Sequence, residues 1–580
     1  MRHIFLPHAH AFDSSALTFS PKFWLLIVIT GIGAGLGADG LMALLTTVQH
    51  VSYNYEQGYF QTAVAQVSAW HRLAVLIAAG LLATFMVWLL RKLSHGANSD
   101  IVHAIWFQSG RVNFWHTIVQ AMLSMTIVGM GASLGREGAP KQVGLAIASV
   151  LSRWGCLTSA ETRFLAACGA GAGMGAIYNV PLGGALFALE VLLGTVALPL
   201  ILPAMTAALI ATAVSWITLP NQPTYTIPVY SFHLGELLWT LLFGPVAGVM
   251  SVLFVRLIIW VDAHKPQSGW PMWAPLPMFA LLGILAITYP QLLGNGLDIT
   301  EFAFSNQLPL LLMLILFVLK PLVTAGCLGS GAPGGLFTPS ITYGAVFGGA
   351  MGDLWSFIWP GTPMGSYAVI GAGAVLAATM QAPLAAAVLL LELTHNTMAI
   401  MVPILLAIAG AIITARLLDM RSIESGPASI QPFIEQITKR PLHTAFNDLI
   451  TPSLNIVPAS ASYGMLVQWM TADNAPQNLY VVDHSGKLVG VISSEKLWMA
   501  GLLTRTMGIA AASDLKMPVT AIRSDQSRKE VLHLLQQTFF SQLPVVDGIT
   551  MQYMGIIKQN CDWSIGVIDG RSRLFALAGI

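Results

Sequence analysis

The sequence predicts an all-α polytopic membrane protein that is followed by a small soluble α/β domain. Of its 580 residues, 55% are hydrophobic and only 9% are charged, whereas soluble domains contain about 25% charged residues. The charges are distributed unevenly, since residues 1–420 contain 28 Asp, Glu, Lys and Arg and residues 421–580 contain 25. The first part is therefore predicted to lie in the membrane, and the second part to be soluble.

The composition also argues against several classes of protein. The formal net charge of +1 gives no indication of a nucleic-acid partner. The four cysteines are scattered, so neither a disulfide framework nor a C-x-x-C metal site is predicted. The H-E-x-x-H motif of an intramembrane metalloprotease does not occur. We therefore expect a protein that is not an enzyme and needs no metal or cofactor.

Apolar stretches of sufficient length predict the spanning helices. A transmembrane helix needs about 20 predominantly apolar residues. The stretches that meet this requirement follow a predicted N-terminal tail (1–21) and are 23–46, 73–90, 234–260, 272–288, 308–326 and 399–418. Other apolar stretches are short or are interrupted by Gly and Pro, and these are 126–150, 165–198, 326–351 and 366–394. Such segments predict broken, re-entrant helices, which a membrane domain tolerates where they are buried or line a polar cavity.

An internal repeat lies within the membrane part. The stretch NVPLGGALFALEVLLG (179–194) resembles QAPLAAAVLLLELTHN (381–396), and each copy follows a run rich in Gly and Ala. Each copy also has Pro-Leu near its start and a glutamate nine residues after the proline, Glu190 in the first copy and Glu392 in the second. We interpret these two glutamates as structural residues that are equivalent to one another.

The repeat divides a membrane domain of residues 22–425 into two halves, about 22–215 and 234–420. Duplicated halves are typical of transporter folds, in which the binding site lies near the middle of the membrane where the halves meet. The residues that carry the chemistry are therefore expected at the boundary between the halves.

A second repeat lies in the soluble part. LYVVDHSGKLVGVIS resembles LPVVDGITMQYMGII, and the aspartates of the two Val-Val-Asp stretches are Asp483 and Asp547. Each copy has an apolar strand, a turn and a second apolar strand, and a helical segment lies between the copies. This pattern predicts two modules, residues 446–510 and 511–580, after a linker of residues 426–445.

Two glycine-rich stretches precede predicted helices in the membrane part: GASLGREGAPK (131–141) and GSGAPGGLFTPS (329–340). A helix N-terminus carries about half a positive charge and unpaired N–H groups. Such an N-terminus, when it points into the protein, can bind an anion without a lysine or arginine. The alternative is a packing role, because glycine also lets membrane helices approach closely.

The stretches GREGAP and GSGAPGGLFTP, together with the duplicated Pro-Leu…Glu segments, resemble the CLC family of chloride channels and chloride/proton antiporters, and its bacterial voltage-gated type in particular. The resemblance covers about residues 20–425. It implies the CLC fold with two inverted-topology repeats, a homodimer in the inner membrane of a bacterium, and chloride as the bound and transported ion. The soluble part resembles a pair of CBS domains, which implies a cytoplasmic location for it.

The resemblance implies that Glu137 is the gate, whose carboxylate occupies an anion site until it is displaced or protonated. A carboxylate at the centre of a bilayer costs roughly 2.5–3.5 kcal/mol on insertion scales, and the donors that bind the anion would offset this cost. Anion-binding roles are implied for Arg136, Gly138 and the backbone N–H groups of Leu336 and Phe337. The motif residues to which the resemblance gives structural roles are Gly135, Gly329, Ser330, Gly331, Pro333, Gly335 and Pro339.

Three positions depart from the family pattern. Gly96 stands where the family has a serine that contacts chloride, and Glu424 stands where it has a tyrosine. Glu424 therefore either lines the anion path or faces the cytoplasm. Val191 stands where many antiporters have a proton-transferring glutamate, so the sequence favours channel-like conduction that is not coupled to protons. A chloride/proton antiporter without that glutamate and a fluoride/proton exporter are the alternatives.

The CBS-like modules give weak support for an adenine nucleotide. Nucleotide-binding CBS domains typically contain Gly-x-x-Ser/Thr-x-x-Asp, but Lys496 stands at the aspartate position of the first module. The second module reads GIIKQNC and lacks both the hydroxyl and the acid. A folded module for dimerisation and regulation is therefore favoured over a nucleotide site.

Overall fold

The computed structural model of the protein divides the chain into two compact units, Met1–Ile430 and Gln431–Ile580. In the first unit, the structure describes residues 19–93, 101–107, 110–231, 233–265, 273–395, 398–419 and 421–423. In the second unit, it describes residues 456–461, 466, 478–493, 512, 516–517, 519, 521–524, 526, 542–548 and 550–558. The predicted linker, residues 426–445, lies outside the described residues.

The described part of the first unit is built of α-helices. The helices of the first half are α1 (Pro21–Tyr53), α2 (Phe60–Gln66), α3 (Ala69–Leu93), α4 (Ile101–Phe107), α5 (Phe114–Gly129), α6 (Gly138–Trp154), α7 (Ser159–Tyr178), α8 (Pro181–Leu186) and α9 (Leu198–Ser215). Those of the second half are α10 (Leu234–Ala263), α11 (Pro275–Thr288), α12 (Leu297–Phe304), α13 (Leu310–Gly329), α14 (Phe337–Ser356), α15 (Met364–Met380), α16 (Pro383–Thr394) and α17 (Met401–Leu418). A π-helical turn, Phe187–Leu192, continues α8.

Among the described residues, six helices are long and apolar enough to cross a membrane. They are α1, α3, α9, α10, α13 and α17. Five of them coincide with predicted stretches, but the prediction of a spanning helix at 272–288 was wrong, because α11 begins at Pro275 and has only 14 residues. The sequence analysis missed α9, in which Pro203 interrupts the apolar run.

The two halves pack their helices in the same way. In the first half α1 packs on α9 and α6 on α7, while in the second half α10 packs on α17 and α14 on α15. Glycines let these helices approach. A Cβ on Gly144 would lie 1.9 Å from the carbonyl oxygen of Gly169, and a Cβ on Gly344 would lie 2.6 Å from that of Gly371. The predicted all-α fold with two repeats and short, broken helices is confirmed.

The duplicated glutamates cap helices of the opposite half. The Glu392 carboxylate accepts hydrogen bonds from the N–H groups of Leu182 (3.0 Å) and Gly183 (2.7 Å) at the start of α8. The Glu190 carboxylate accepts from Leu384 (3.2 Å) and Ala385 (2.5 Å) at the start of α16.

The first N–H groups of a helix have no partner within it, and a negative charge at that end is favourable. Each half of the membrane domain therefore completes a helix terminus of the other, and this reciprocal capping joins the halves.

The second unit contains two three-stranded sheets with the same topology. The strands are β1 (Ile456–Pro458), β2 (Asn478–Val482), β3 (Leu488–Ser493), β4 (Ile522–Arg523), β5 (Gln542–Val546) and β6 (Tyr553–Lys558). In each sheet the middle strand pairs in parallel with the first strand and antiparallel with the third. The described strands thus agree with two equivalent modules, while the predicted helical segment between the copies lies outside the described residues.

The repeated aspartates of this unit close equivalent hairpin turns. The Asp483 carboxylate accepts hydrogen bonds from the N–H groups of Ser485 (2.9 Å) and Lys487 (3.0 Å). The hydroxyl of Ser485 also donates to it, and these contacts hold the pKa of Asp483 below its ordinary value. Asp547 accepts from the N–H of Thr550 at 2.7 Å. Both aspartates therefore stabilise a turn.

We predict that Glu392→Ala destabilises the membrane domain, because two N–H groups of α8 lose their charged acceptor. Hydrogen bonds to charged groups contribute roughly 1.5–3 kcal/mol each, so the loss is large enough to lower the thermal unfolding temperature in detergent. Glu56→Ala is the matched control, since Glu56 is exposed. Size-exclusion chromatography after heating gives the unfolding temperature of each variant. Equal unfolding temperatures for Glu392→Ala and Glu56→Ala would contradict the capping role.

Candidate functional site

The two glycine-rich stretches lie face to face. The N–H of Gly135 donates to the carbonyl oxygen of Gly335 at 2.7 Å, and the N–H of Gly335 donates back to Gly135 at 2.9 Å. Helix α6 begins three residues after the first contact, at Gly138, and α14 begins two residues after the second, at Phe337. Two helix N-termini, one from each half, are thereby brought to one place.

The carboxylate of Glu137 lies at the N-terminus of α14. Its Oε1 accepts the backbone N–H of Phe337 at 2.6 Å. Its Oε2 accepts the hydroxyls of Thr338 and Tyr178, each at 3.1 Å. Glu137 is 0% exposed, and an isolated buried charge would be strongly unfavourable. Charge-assisted hydrogen bonds from one N–H and two hydroxyls offset this penalty.

Glycines provide the space that this carboxylate fills. A Cβ on Gly135 would lie 2.1 Å from Oε1 of Glu137, and a Cβ on Gly335 would lie 2.0 Å from the same atom. Neither distance is compatible with the carboxylate in its present position. These two motif glycines therefore keep the space beside the α14 N-terminus open for an oxygen-bearing group.

The sequence analysis missed Tyr178 and Thr338. Tyr178 is the last residue of α7, and its hydroxyl lies 2.5 Å from that of Thr338. The internal repeat contains a signal for Tyr178, because the equivalent position in the second copy is the apolar Met380. Thr338 follows Phe337 in a motif in which only the glycines, phenylalanine and proline attract attention. A polar residue at only one of two repeat-equivalent positions is thus a usable indicator of a functional-site residue.

Arg136 adds positive charge beside these hydroxyls. Its guanidinium carbon lies 5.0 Å from the centre of the Tyr178 ring, within the range of a cation–π interaction. Its buried Nε has no hydrogen-bond partner within the described residues. Arg136 lines a cavity of about 110 Å³ that Asp298 also lines. The Asp298 carboxylate accepts the N–H of Gln61 at 2.8 Å.

The remaining predicted residues lie around this centre or away from it. Leu336 is buried and immediately precedes α14, and Pro339 lies in the first turn of that helix. Gly329 ends α13, and Gly331 has a φ of +94° that favours glycine. Pro333 belongs to the same loop.

Two more of the predicted residues, Ser330 and Val191, make no described contact with Glu137, and two others lie outside the described residues. The hydroxyl of Ser330 donates to the carbonyl oxygen of Cys327 at 2.7 Å, so it bonds to its own chain turn and not to Glu137. Val191 is half-buried on the π-helical turn that follows α8. Gly96 and Glu424 lie outside the described residues.

Comparison with known families identifies the membrane part. The sequence model of the voltage-gated chloride channel family matches residues 79–416, which are more than half of the chain. The chain belongs to this family, the CLC family. The matched segment contains the site around Glu137, both duplicated glutamates and α14, whereas the second unit lies outside it.

Relatives within the CLC family carry both channel and exchanger names. The chain is 29% identical over 384 residues to the voltage-gated ClC-type chloride channel ClcB of Citrobacter koseri, which covers 64% of this chain and 90% of that protein. It is 30% identical over 366 residues to the H(+)/Cl(-) exchange transporter ClcA of Vibrio vulnificus, which covers 61% and 78%.

A solved structure of a slow cyanobacterial Cl-/H+ antiporter superimposes with a TM-score of 0.64 at 21% identity and covers 72% of this chain and 100% of that one. Identity at this level establishes the fold alone. The predicted CLC fold of the membrane domain is thereby confirmed.

We predict that Gly335→Ala displaces the Glu137 carboxylate, because the added methyl group occupies its position. Carbodiimide-promoted coupling of an amine, read by mass spectrometry, then modifies Glu137 in the variant but not in the unaltered protein. Gly40→Ala is the control, since a Cβ at that position would meet no atom of the described residues within 4 Å beyond its chain neighbours and its own helix backbone. The geometric account is contradicted when Glu137 stays as unreactive in Gly335→Ala as in the control.

Proposed function

We propose that this protein moves chloride across a membrane and that the carboxylate of Glu137 is the gate of its anion pathway. The observation that carries the proposal is the fully buried carboxylate at the N-terminus of α14, held by the N–H of Phe337 and the hydroxyls of Tyr178 and Thr338. Donors of this kind bind a chloride ion as readily as a carboxylate, since each is an anion at a helix N-terminus. The carboxylate and the transported ion therefore compete for one place.

Protonation supplies the means of opening. An ionised Glu137 forms charge-assisted hydrogen bonds, and a neutral carboxyl group forms weaker ones. A proton on Glu137 therefore loosens the carboxyl group from its donors, while Arg136 nearby keeps the local potential favourable for an anion. Transport is expected to rise as the pH falls.

We propose further that anion movement is not coupled to protons. Val191 carries no titratable group, and its neighbour Glu190 is engaged by the N–H groups of Leu384 and Ala385. A carboxylate fixed as a helix cap is poorly suited to pick up and release protons during transport. Chloride/proton exchange is the second candidate, since a relative bears the name of an H(+)/Cl(-) exchange transporter. Fluoride/proton export is the third.

For the whole protein we propose a homodimer in a bacterial inner membrane, with the second unit as a cytoplasmic CBS pair. The two sheets of equal topology and the equivalent turns at Asp483 and Asp547 support the pair. Contacts between its modules support one folded unit, since the rings of Tyr480 and Tyr553 stack at 5.5 Å. Adenine-nucleotide binding is a separate proposal for this pair, and Lys496 lies outside the described residues.

The gate assignment predicts that Glu137→Gln removes the pH dependence of transport, because glutamine mimics the protonated carboxyl group and cannot titrate. Chloride efflux from proteoliposomes, measured in acidic and in neutral buffer, is expected to rise with acidity in the unaltered protein and to give a ratio near unity in the variant. Glu236→Gln is the control, since Glu236 is a buried glutamate of α10 that binds Ser366 instead. An unchanged pH response in Glu137→Gln would overturn the assignment.

The uncoupled mechanism predicts a reversal potential that follows the chloride gradient alone. Purified protein in a planar bilayer is measured under a fixed chloride gradient, with and without an added pH gradient. A potential that ignores the pH gradient agrees with Val191 as an interruption of the proton path. A shift caused by the pH gradient establishes coupling and requires a proton route to Glu137 that does not use residue 191.

A further inference from the structure

We infer that the hydroxyls of Tyr178 and Thr338 are ligands of the transported anion, and that they bind the Glu137 carboxylate and the anion in turn. The inference rests on the proposed role of Glu137 as the gate. The ligand class is a small monovalent anion with hydrogen-bond-accepting capacity, of which chloride is the proposed physiological member.

The argument begins with three oxygens in mutual contact. Oη of Tyr178 lies 2.5 Å from Oγ1 of Thr338, and each lies 3.1 Å from Oε2 of Glu137. An ionised carboxylate contributes no proton, so the two hydroxyl protons must serve three contacts. At least one hydroxyl therefore donates to the carboxylate, and the other either does the same or reinforces its partner.

The hydroxyls of Tyr178 and Thr338 form hydrogen bonds only within this site, among the described residues. Within the described residues, neither one hydrogen-bonds to any group other than its partner and Glu137. Other hydroxyls of α14 behave differently, since Ser340 donates to the carbonyl oxygen of Leu336 (2.7 Å) and Thr342 to that of Thr338 (3.0 Å). Hydroxyls within helices commonly bond back to such carbonyls. The hydroxyl of Thr338 instead contacts the Glu137 carboxylate and the hydroxyl of Tyr178.

When the carboxylate leaves, the groups that donated to it need another acceptor. Tyr178 and Thr338 are both fully buried, and the N–H of Phe337 loses its partner at the same time. A buried donor that is left without an acceptor is strongly unfavourable. An anion that enters the vacated space satisfies all three donors, and the positive charge of Arg136 beside the Tyr178 ring favours it further.

The same donors stabilise the state in which the Glu137 carboxylate is bound and the state in which the anion is bound. A change in either hydroxyl therefore weakens the binding of both. The effect on anion affinity is therefore partly hidden while Glu137 competes. Removal of the carboxylate by Glu137→Ala exposes the contribution of the hydroxyls, and that variant is the appropriate background for the test.

The experiment is isothermal titration of chloride into the full-length protein in chloride-free detergent solution. Glu137→Ala is compared with the double variants that add Tyr178→Phe or Thr338→Val. We expect each added change to weaken chloride binding about tenfold or more, since a hydrogen bond to a charged group contributes about 1.5–3 kcal/mol and about 1.4 kcal/mol is tenfold in Kd. The matched controls add Tyr343→Phe or Thr379→Val, both buried residues outside the site, and keep the affinity of Glu137→Ala.

A second readout separates ligation from packing. Thiocyanate accepts weaker hydrogen bonds than chloride, so loss of a hydroxyl is expected to lower chloride affinity more than thiocyanate affinity. A packing defect lowers both equally. Thr338→Ser in the Glu137→Ala background keeps the hydroxyl and is expected to retain chloride binding.

The outcomes distinguish the inference from the proposal beneath it. No chloride binding by Glu137→Ala itself would contradict the anion site, and with it the proposed function. Chloride binding by Glu137→Ala that is unchanged by both Tyr178→Phe and Thr338→Val would overturn the inference and leave the gate intact. Equal losses for chloride and thiocyanate would also overturn it, in favour of a packing role.

Discussion

The site of the membrane domain depends on one contact. The N–H of Phe337 donates a hydrogen bond to the carboxylate of Glu137 at 2.6 Å. A carboxylate inside an apolar domain is tolerated only where donors compensate for its lost hydration. The two glycine stretches that pair at Gly135 and Gly335 leave room for it, and the N-terminus of α14 supplies the donor. Because the glutamate comes from one half and the helix from the other, the site exists only when both halves are folded together.

Two further glutamates also accept N–H groups at helix N-termini, but their role is structural. Glu190 and Glu392 each accept two backbone N–H groups at the start of a helix in the opposite half. Glu137 accepts one N–H and two side-chain hydroxyls, in a space that glycines line. The first arrangement is a fixed helix cap. The second consists of donors that do not depend on a carboxylate in particular, and we propose that an anion can replace it. The duplication thus supplies two helix caps that join the halves, and we propose that the contact at Glu137 is the one that is exchanged.

The sequence predicted the duplicated helical fold and both glycine stretches because repeats, apolar runs and glycine turns are local patterns. It missed α9, and it predicted a spanning helix at 272–288 where α11 has only 14 residues, since hydropathy does not reveal where a helix begins or how an internal proline is accommodated. The resemblance singled out Glu137 but not its partners Tyr178 and Thr338, which lie 41 and 201 positions away along the chain. The repeat established that Glu190 and Glu392 are equivalent, yet equivalence does not say that each caps a helix of the other half. Contacts between the halves depend on tertiary packing, and they leave no local pattern in a single sequence from which they could be predicted.

The most direct test of the account is a crystal structure of Glu137→Ala grown in bromide, with the bromide located by its anomalous scattering. The account predicts a bromide in the position that the carboxylate occupies in the unaltered chain, within hydrogen-bonding distance of the N–H of Phe337. A vacant position there, with bromide bound elsewhere in the membrane domain, would contradict the claim that Glu137 occupies an anion site.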